Sequence, residues 1–225
     1  MTRASQFFDD QHGDDLLPLP LHYRLLRRFE ITREETAAAL LPGGDALLDI
    51  GCGDGELAAR VADRYPRIVG GDISPAVVEE AQRRRAGLAR WMVLDASRTL
   101  PVADGSFSDV VALSTLQYLF DPAAFLREAH RVLRPGGRLL VETPNMAYLP
   151  QRLRLLAGRP IRTSFWKHGI DGGNLHYFTV DSLRELVTAA GFTPSAVTGS
   201  GVFAKARTWR VSLLCGNVFL VATRA

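Results

Sequence analysis

Apolar and polar positions divide the chain into an irregular beginning and a strongly patterned remainder. Residues 1–20 are polar, acidic and interrupted by prolines, which is typical of a mobile arm. Residues 21–41 carry apolar side chains at helical spacing, and the Pro-Gly-Gly sequence at 42–44 ends the predicted helix. We therefore expect an N-terminal arm and cap helix over residues 1–45 and a single folded domain over residues 46–225.

From residue 46 onward, short apolar runs alternate with segments whose apolar residues recur at helical spacing. The pattern predicts strands over residues 46–50, 67–72, 90–94, 108–113, 138–143 and 217–222, and helices over residues 56–65, 75–86, 122–133 and 179–190. This alternation is typical of a parallel sheet with helices on both faces, so the expected fold class is α/β and doubly wound. Ligands of such sheets bind at the carboxyl ends of the strands.

One long segment interrupts the alternation. Residues 144–178 are rich in proline and glycine and contain Trp166, His168, His176 and Tyr177. The segment follows the carboxyl end of a predicted central strand, where a long connection is more often functional than ornamental. We expect this insertion to face the reacting part of the ligand.

Composition narrows the function classes. The chain has 225 residues, of which 47% are hydrophobic and 23% charged, so it is long enough for one sizeable α/β domain. Its net charge is +3 and its basic residues are scattered over predicted helix faces, which disfavours a nucleic-acid partner. Two cysteines are too few for a metal cluster, so no metal site is expected. No signal-peptide pattern and no run of about 18 apolar residues occurs, so we expect a cytoplasmic protein with no membrane partner.

A glycine-rich loop with flanking carboxylates is the first chemical signal. The segment from Asp49 to Gly55 reads Asp-Ile-Gly-Cys-Gly-Asp-Gly and passes from a predicted strand into a predicted helix. Its glycines allow a tight turn and a close approach of a ligand to the main chain. Dinucleotide sites use G-x-G-x-x-G, in which pyrophosphate lies at the helix N-terminus, whereas this loop reads G-x-G-x-G. The carboxylates of Asp49 and Asp54 would repel pyrophosphate and attract a cationic ligand.

Two further aspartates follow predicted strands. Asp72 lies 21 positions after Gly51, a spacing that suits a carboxylate accepting two ribose hydroxyls, although NAD sites share this feature. Asp95 ends the third strand, where it can accept a hydrogen bond from an adenine amino group. Capping of a helix or turn explains any one of these aspartates, but three in order at strand ends favour a ligand.

Together these motifs resemble those of the class I S-adenosylmethionine (SAM)-dependent methyltransferases. The resemblance rests on the loop Asp49–Gly55, Asp72, Asp95-Ala96, Phe107-Ser108-Asp109-Val110-Val111 and the segment His130–Gly137. It is close over residues 45–145 and looser over the remainder. The stretches at 143–148 and 174–179 are similar to the small-molecule branch that contains MetW-like and ubiquinone-type O-methyltransferases.

The resemblance implies a fold and a cofactor. The fold is a Rossmann-like, mostly parallel seven-stranded sheet whose last strand, residues 217–223, is antiparallel. The cofactor is SAM, and the product formed from it is S-adenosylhomocysteine. The chain departs from many relatives at Gln117-Tyr118, where they have Glu-His, so no catalytic role is assigned there.

The resemblance also implies roles for single residues. The cofactor-binding residues that it carries over are Gly51, Gly53 and Gly55 at the methionine part, with Asp49 and Cys52 in the same loop, Asp72 and Ile73 at the ribose and adenine, Asp95 and Ala96 at the adenine edge, and Ser114 and Thr115 facing the sulfonium. We expect Cys52 to pack under the loop as a small apolar residue rather than to act as a nucleophile.

Candidates for the acceptor side come from the insertion and the N-terminal arm. A base is needed only if the acceptor must lose a proton, and His176 is the leading candidate because histidine is poised near neutral pH. The alternative is a structural histidine bonded to a loop carbonyl. Tyr23 and Phe7 or Phe8 are expected to close over the cofactor. The candidates for the acceptor pocket are Tyr23, Tyr118, Asn145, Tyr148, Trp166, His168 and Tyr177.

The favoured function is methyl transfer from SAM to an oxygen or nitrogen of a small molecule. One alternative is a non-catalytic SAM-binding partner protein of the MetW type. Another is an NAD-dependent oxidoreductase, against which the glycine spacing and Asp49 argue. The sequence leaves open the identity of the acceptor and the oligomeric state.

Overall fold

The computed structural model describes residues 31–161, 174–201 and 210–225. The strands in these ranges are β1 (Leu47–Ile50), β2 (Ile68–Asp72), β3 (Arg90–Val93), β4 (Phe107–Leu113), β5 (Leu133–Pro144), β6 (Phe192–Ser200) and β7 (Asn217–Arg224). The helices in these ranges are α1 (Arg33–Leu40), α2 (Glu56–Val61), α3 (Pro75–Arg84), α4 (Pro122–Val132), α5 (Leu149–Leu156), α6 (Val180–Ala189) and α7 (Val211–Leu214), with a 3₁₀ turn over Leu116–Tyr118.

The seven strands form one sheet in the order β3-β2-β1-β4-β5-β7-β6. The neighbours from β3 to β5 pair in parallel, and β7 pairs antiparallel with both β5 and β6. The expected α/β fold with a mostly parallel seven-stranded sheet and an antiparallel last strand is therefore confirmed.

Both faces of the central strands are buried. Leu48 and Ile50 of β1 belong to the apolar cluster on one face, whereas Leu47 belongs to the cluster on the other. All seven residues of β4 are buried. Burial on both faces explains why these strands read as continuous apolar runs rather than as an alternation of apolar and polar residues.

The helices begin at caps that the sequence encodes. Ser74 Oγ accepts a hydrogen bond from the Val77 amide at 3.1 Å, with Pro75 in the first turn of α3. Asp121 Oδ1 accepts from the Ala124 amide at 2.8 Å at the start of α4. These side chains satisfy amides that have no partner within the helix and fix where each connection leaves the sheet.

A buried ion pair ties two central strands to the loop before β1. The Asp109 side chain is fully buried and accepts two hydrogen bonds from the Arg138 guanidinium, at 2.7 and 3.1 Å. Arg138 Nη2 also donates to the Gly43 carbonyl at 2.9 Å. The aspartate that follows Ser108 in the sequence motif therefore has a structural partner rather than a place at the ligand edge.

The structure corrects several predicted boundaries. The helix predicted to run to 133 ends at Val132, and β5 begins at once, so the Arg-Pro-Gly-Gly segment at 134–137 lies in the strand instead of ending a helix. Helix α2 stops at Val61, short of the predicted residue 65. Of the helix predicted over 21–41, the described part is helical only over Arg33–Leu40, and the predicted arm over 1–20 lies outside the described residues.

The insertion is anchored at both ends. Asn145 forms a parallel bridge with Phe178, and the Met146 amide donates to the Phe178 carbonyl at 2.9 Å. Helix α5 lies inside the insertion, with Pro150 in its first turn, where proline is compatible with a helix. The proline-rich pattern concealed this helix from the sequence analysis.

Within the described ranges, no helix is both long and apolar enough to cross a membrane. Those ranges also contain no group of three or more His, Cys, Asp or Glu side chains that could hold a metal ion.

Candidate functional site

The glycine loop between β1 and α2 turns through left-handed backbone conformations. Gly51 has φ +75°, and a Cβ atom there would lie 2.3 Å from Thr115 Oγ1. Gly53 has φ +54°, and a Cβ there would meet nothing within 4 Å. The first position is therefore closed by packing against the end of β4, while the second leaves the main chain open to a ligand.

Backbone amides join this loop to the end of β2. The amides of Gly51 and Cys52 donate to the Gly71 carbonyl at 2.8 and 3.1 Å. The Gly53 amide donates to Asp72 Oδ2 at 3.3 Å, and the Ser74 amide donates to Asp72 Oδ1 at 3.0 Å. The Asp72 carboxylate is thus held at the strand end where the sequence predicted it.

A cavity of about 270 Å³ opens at the carboxyl ends of the central strands. Eight residues predicted for the cofactor or acceptor line it, namely Gly51, Asp72, Ile73, Asp95, Ala96, Ser114, Thr115 and Tyr118. Its remaining lining is mostly apolar, from Ile50, Leu94, Leu113, Leu119 and Phe120, with Arg33 and Ser97. The structure therefore gathers residues from four strand ends around one concave space with an apolar lining and a few polar groups, as in small-molecule sites.

A second cavity of about 510 Å³ lies on the other side of the loop. It is lined by Gly53, Asp54, Ser74 and residues of α3, and it shares Arg33 with the first cavity. Arg33 is fixed at the start of α1 by a capping box, in which Thr32 Oγ1 accepts from the Glu35 amide at 3.1 Å and Glu35 accepts from the Thr32 amide at 2.9 Å. Arg33 was not predicted from the sequence, because nothing in its polar neighbourhood distinguishes it from a solvent-exposed cation.

Asp49 is a buried carboxylate with an unfilled hydrogen-bonding site. The residue is 2% exposed, and its Oδ2 has no hydrogen-bond partner among the described residues. Burial, reinforced by the charge of Asp72, raises the pKa of Asp49 to about 7, while Arg33 acts in the opposite direction. A cationic amine at this oxygen would supply both the missing hydrogen bond and the missing charge, which is the chemistry of the ammonium group of SAM, although Asp49 is not among the described residues that line the two cavities.

Asp95 lines the cavity of about 270 Å³. Its Oδ1 accepts from the Ser97 amide at 2.9 Å, and its Oδ2 accepts from Arg98 Nε at 3.2 Å. The neighbouring Leu94 and Ala96 give this end an apolar wall. A carboxylate beside an apolar wall suits a flat heterocycle that carries an amino group.

Cys52 lies beneath the loop. It is 7% exposed, and its Sγ lies 3.7 Å from the Gly53 carbonyl oxygen. Burial and the nearby charges of Asp49 and Asp72 raise the pKa of the thiol. A protonated, buried thiol is a packing group and a poor nucleophile.

A polar chain of three side chains borders the cavity at the ends of β4 and β5. Arg33 Nη1 donates to Ser114 Oγ at 3.0 Å, and Ser114 Oγ donates to Glu142 Oε2 at 2.8 Å. Glu142 is fully buried, and burial raises its pKa although Arg33 and Ser114 act in the opposite direction. Glu142 was not predicted from the sequence; the available signal was an acidic residue directly after the apolar run Leu139-Leu140-Val141 of the predicted strand.

The acceptor candidates are distributed unevenly. Tyr118 lines the cavity. Asn145 is buried, and its amide nitrogen donates to the carbonyls of Val211, Ser212 and Cys215 at 3.3, 3.0 and 2.8 Å, so the structure uses it to anchor α7.

Among the described candidates, His176, Tyr148 and Tyr177 do not line that cavity. His176 Nε2 lies 3.4 Å from the Phe120 carbonyl oxygen, which is the geometry of the structural alternative. Tyr177 is 43% exposed, and Tyr148 lies near Gly216. The other candidates, Tyr23, Trp166, His168, Phe7 and Phe8, lie outside the described residues.

Comparisons with known proteins agree with this geometry. A family model described as a methyltransferase domain matches residues 48–141. The chain is 33% identical over 169 residues to the ubiquinone/menaquinone biosynthesis C-methyltransferase of Desulfotalea psychrophila, a match that covers 67% of each protein. It is 35% identical over 150 residues to a malonyl-acyl-carrier-protein O-methyltransferase of Hahella chejuensis, covering 64% of this chain and 50% of that protein. The match therefore spans two thirds of the first relative and half of the second.

A solved structure shares the fold. The SAM-dependent methyltransferase from Mesorhizobium loti superposes with a TM-score of 0.64 at 19% identity, covering 86% of this chain and 98% of that one.

Proposed function

The chain belongs to the class I SAM-dependent methyltransferases, and from that premise we propose that it transfers a methyl group to an oxygen or nitrogen of a small-molecule acceptor. SAM is the cofactor that this family uses, which removes the NAD-dependent alternative. When bound, SAM supplies an electrophilic methyl group on a sulfonium.

Different residues of the described chain would bind different parts of SAM. Asp49 offers its unpartnered Oδ2 to the ammonium, and Arg33, which borders both cavities, offers a cation to the carboxylate. The Asp72 carboxylate, which two backbone amides hold at the end of β2, would accept the ribose hydroxyls. Asp95 and Ala96 take the adenine edge.

The observation that carries the proposal is that one cavity is lined both by residues suited to a nucleoside and by residues suited to a small acceptor. One end is bounded by Asp72 and Asp95, which suit a nucleoside. The other end is bounded by Ser114, Tyr118 and Phe120, which suit a small acceptor with a polar reacting atom. Holding donor and acceptor in one space within near-attack distance supplies much of the rate enhancement of a displacement reaction.

The relatives support a small acceptor without fixing its atom. By name, one relative methylates carbon in quinone biosynthesis, and the other methylates an oxygen of a malonyl group. We favour oxygen or nitrogen because Ser114 and Tyr118, two residues with hydroxyl groups, line the cavity.

The test is a screen with methyl-labelled SAM against phenols, carboxylic acids and amines, followed by metabolite extracts. We expect label to enter a small molecule and mass spectrometry to locate it on oxygen or nitrogen. Label found on carbon would overturn the atom assignment. Tight SAM binding with no labelled product from any extract would favour the non-catalytic SAM-binding partner instead.

A further inference from the structure

Glu142 is a second buried carboxylate, and the cofactor contacts do not use it. It lies on β5, on the opposite side of β1 from Asp72. Its Oε2 accepts the Ser114 hydroxyl at 2.8 Å, and its Oε1 is buried without a hydrogen-bond partner in the described part of the chain. A buried, half-satisfied carboxylate is costly to the fold, so its position beside the cavity calls for a function.

Ser114 is held in an unusual conformation between Glu142 and the cavity. Its φ is +49°, a left-handed value that costs a non-glycine residue on the order of 1 kcal/mol. Its amide donates to the Glu142 carbonyl at 3.0 Å, which fixes the backbone, and its side chain borders the cavity. The strain thus presents a hydroxyl to the cavity with a carboxylate directly behind it.

The hydroxyl has one position left for a ligand. Ser114 Oγ donates its hydrogen to Glu142 and accepts a hydrogen bond from Arg33 Nη1 at 3.0 Å. A hydroxyl oxygen has two acceptor lone pairs, so the second can receive a hydrogen bond from an O–H or N–H group in the cavity.

We propose that Ser114 and Glu142 form the proton acceptor for methyl transfer, a role that rests on the proposed function. The acceptor atom attacks the methyl carbon, the carbon–sulfur bond breaks, and its electron pair stays on sulfur to give the thioether. The O–H or N–H proton of the acceptor passes to Ser114 Oγ while the Ser114 hydroxyl proton passes to Glu142 Oε2. The cation lost at sulfur is balanced by the proton gained at Glu142.

The charges around Glu142 suit this exchange. Arg33 and Glu34 of α1 face the carboxylate, and Arg33 is in turn near Tyr118 and Asp49. Burial raises the pKa of Glu142, whereas Arg33 keeps it from rising further. A nearby sulfonium favours the ionised carboxylate, and loss of that charge favours the protonated one.

His176 is less well placed for the same role. Its Nε2 lies against the Phe120 carbonyl oxygen at 3.4 Å, and it does not border the cavity. Ser114 would contact the acceptor directly, and Glu142 would act through it as a positioning and proton-holding residue.

Calorimetry with SAM and S-adenosylhomocysteine tests the proposal without the acceptor. Each ligand is titrated into the wild type in two buffers of different ionisation enthalpy at several pH values from about 5 to about 8, which gives the protons bound or released. We expect the neutral product to be bound with more proton uptake than the sulfonium, by up to about one proton per site. Glu142→Gln should remove this difference, and Glu34→Gln, which alters a neighbouring carboxylate, should retain it.

Infrared difference spectra provide a readout on the wild type itself. A protonated-carboxyl band should appear in the S-adenosylhomocysteine complex and be absent from the SAM complex. The band should shift in Ser114→Ala, because that variant removes the hydroxyl that bonds to Glu142. A missing band, a band that Ser114→Ala leaves in place, or an equal proton count for both ligands would overturn the proposal while the cofactor assignment stands. Failure of both ligands to bind would overturn the proposed function as well.

Discussion

Single residues at the strand ends combine burial with charge. Asp49 and Glu142 each leave one carboxylate oxygen buried and unpartnered in the described chain, and Arg33 acts electrostatically on both. Such groups destabilise the unliganded fold, because only a hydrogen-bonding or charged partner offsets the free-energy cost of desolvating a carboxylate. A positively charged ligand beside Asp49 would offset this desolvation cost.

The raised pKa of Asp49 predicts how the free energy of unfolding depends on pH. The folded-state pKa of about 7 lies above the ordinary aspartate value, so the folded protein holds this proton more tightly than the unfolded chain. The Asp49 contribution to the free energy of unfolding therefore falls as pH rises from about 4 to about 7, and Glu142 acts in the same direction. Asp49→Asn should raise the free energy of unfolding at pH 8 by roughly 1–3 kcal/mol and leave it nearly unchanged near pH 4.

Urea denaturation of the wild type and Asp49→Asn, without ligand, at pH values of about 4 and 8 measures this effect. The same variant should bind SAM more weakly, because an amide cannot match the carboxylate at an ammonium. A variant that is less stable than the wild type at the higher pH would contradict the account of Asp49.

Some residues that line the cavity could be predicted from the sequence, and others could not. Asp72 and Asp95 were readable because each ends a predicted strand, and parallel strands bring their ends to one edge. Arg33 reaches the cavity from a helix that precedes β1, and no local pattern records that tertiary contact. Asn145 lies at a strand end, but its amide is used by the carbonyls at the end of α7, which only the folded chain reveals.

Among the elements, β2 and β3 support the glycine loop between β1 and α2 through the indole ring of Trp91. Trp91 of β3 packs against Gly70 of β2, where a Cβ would lie 2.3 Å from the ring. The same ring lies beside Gly55 at the end of the loop, where a Cβ would lie 2.4 Å from it. The indole therefore fixes the distance between the sheet and the start of α2.

Gly70→Ala tests that packing. The added methyl has no space against the Trp91 ring, so we expect a loss of roughly 1–3 kcal/mol in the free energy of unfolding, measured by urea denaturation. Gly216→Ala is the matched control, since its nearest atom would be 3.8 Å away. Gly70→Ala/Trp91→Leu should recover part of the loss. Equal effects of the two single alanine substitutions would refute the packing argument.

Most predicted elements follow from their own periodicity, and the exceptions have physical causes. Strand β6 was missed because its residues are mostly half-buried or exposed, and it pairs only with β7 at the sheet edge. Helix α5 was missed because it lies in a proline-rich segment, and its leucines at helical spacing (Leu149, Leu153 and Leu156) stay exposed rather than packing against the core. Elements that bury little apolar surface are therefore harder to predict from the hydrophobic pattern of the sequence.

At the scale of the molecule, the strand order places the site. The order runs outward from β1 to β2 and β3 on one side and from β4 to β5 on the other. The connections diverge between β1 and β4, and the cavity lies at this divergence, where Ile50 and Gly51 meet Leu113 and Ser114. Ligands of open α/β sheets generally bind in a crevice of this kind. A correct prediction of the fold therefore also predicts where the site lies.

We infer that this crevice binds SAM through its strand-end carboxylates, and the direct test is calorimetric titration of SAM into the wild type, Asp72→Ala and Asp63→Ala. Asp63 is a control because its side chain is 79% exposed. We predict saturable binding to the wild type, an affinity about 10–100-fold lower for Asp72→Ala, since a hydrogen bond to a charged group contributes roughly 1.5–3 kcal/mol, and no change for Asp63→Ala. Absence of binding to the wild type, or an unchanged affinity for a folded Asp72→Ala, would contradict the claim.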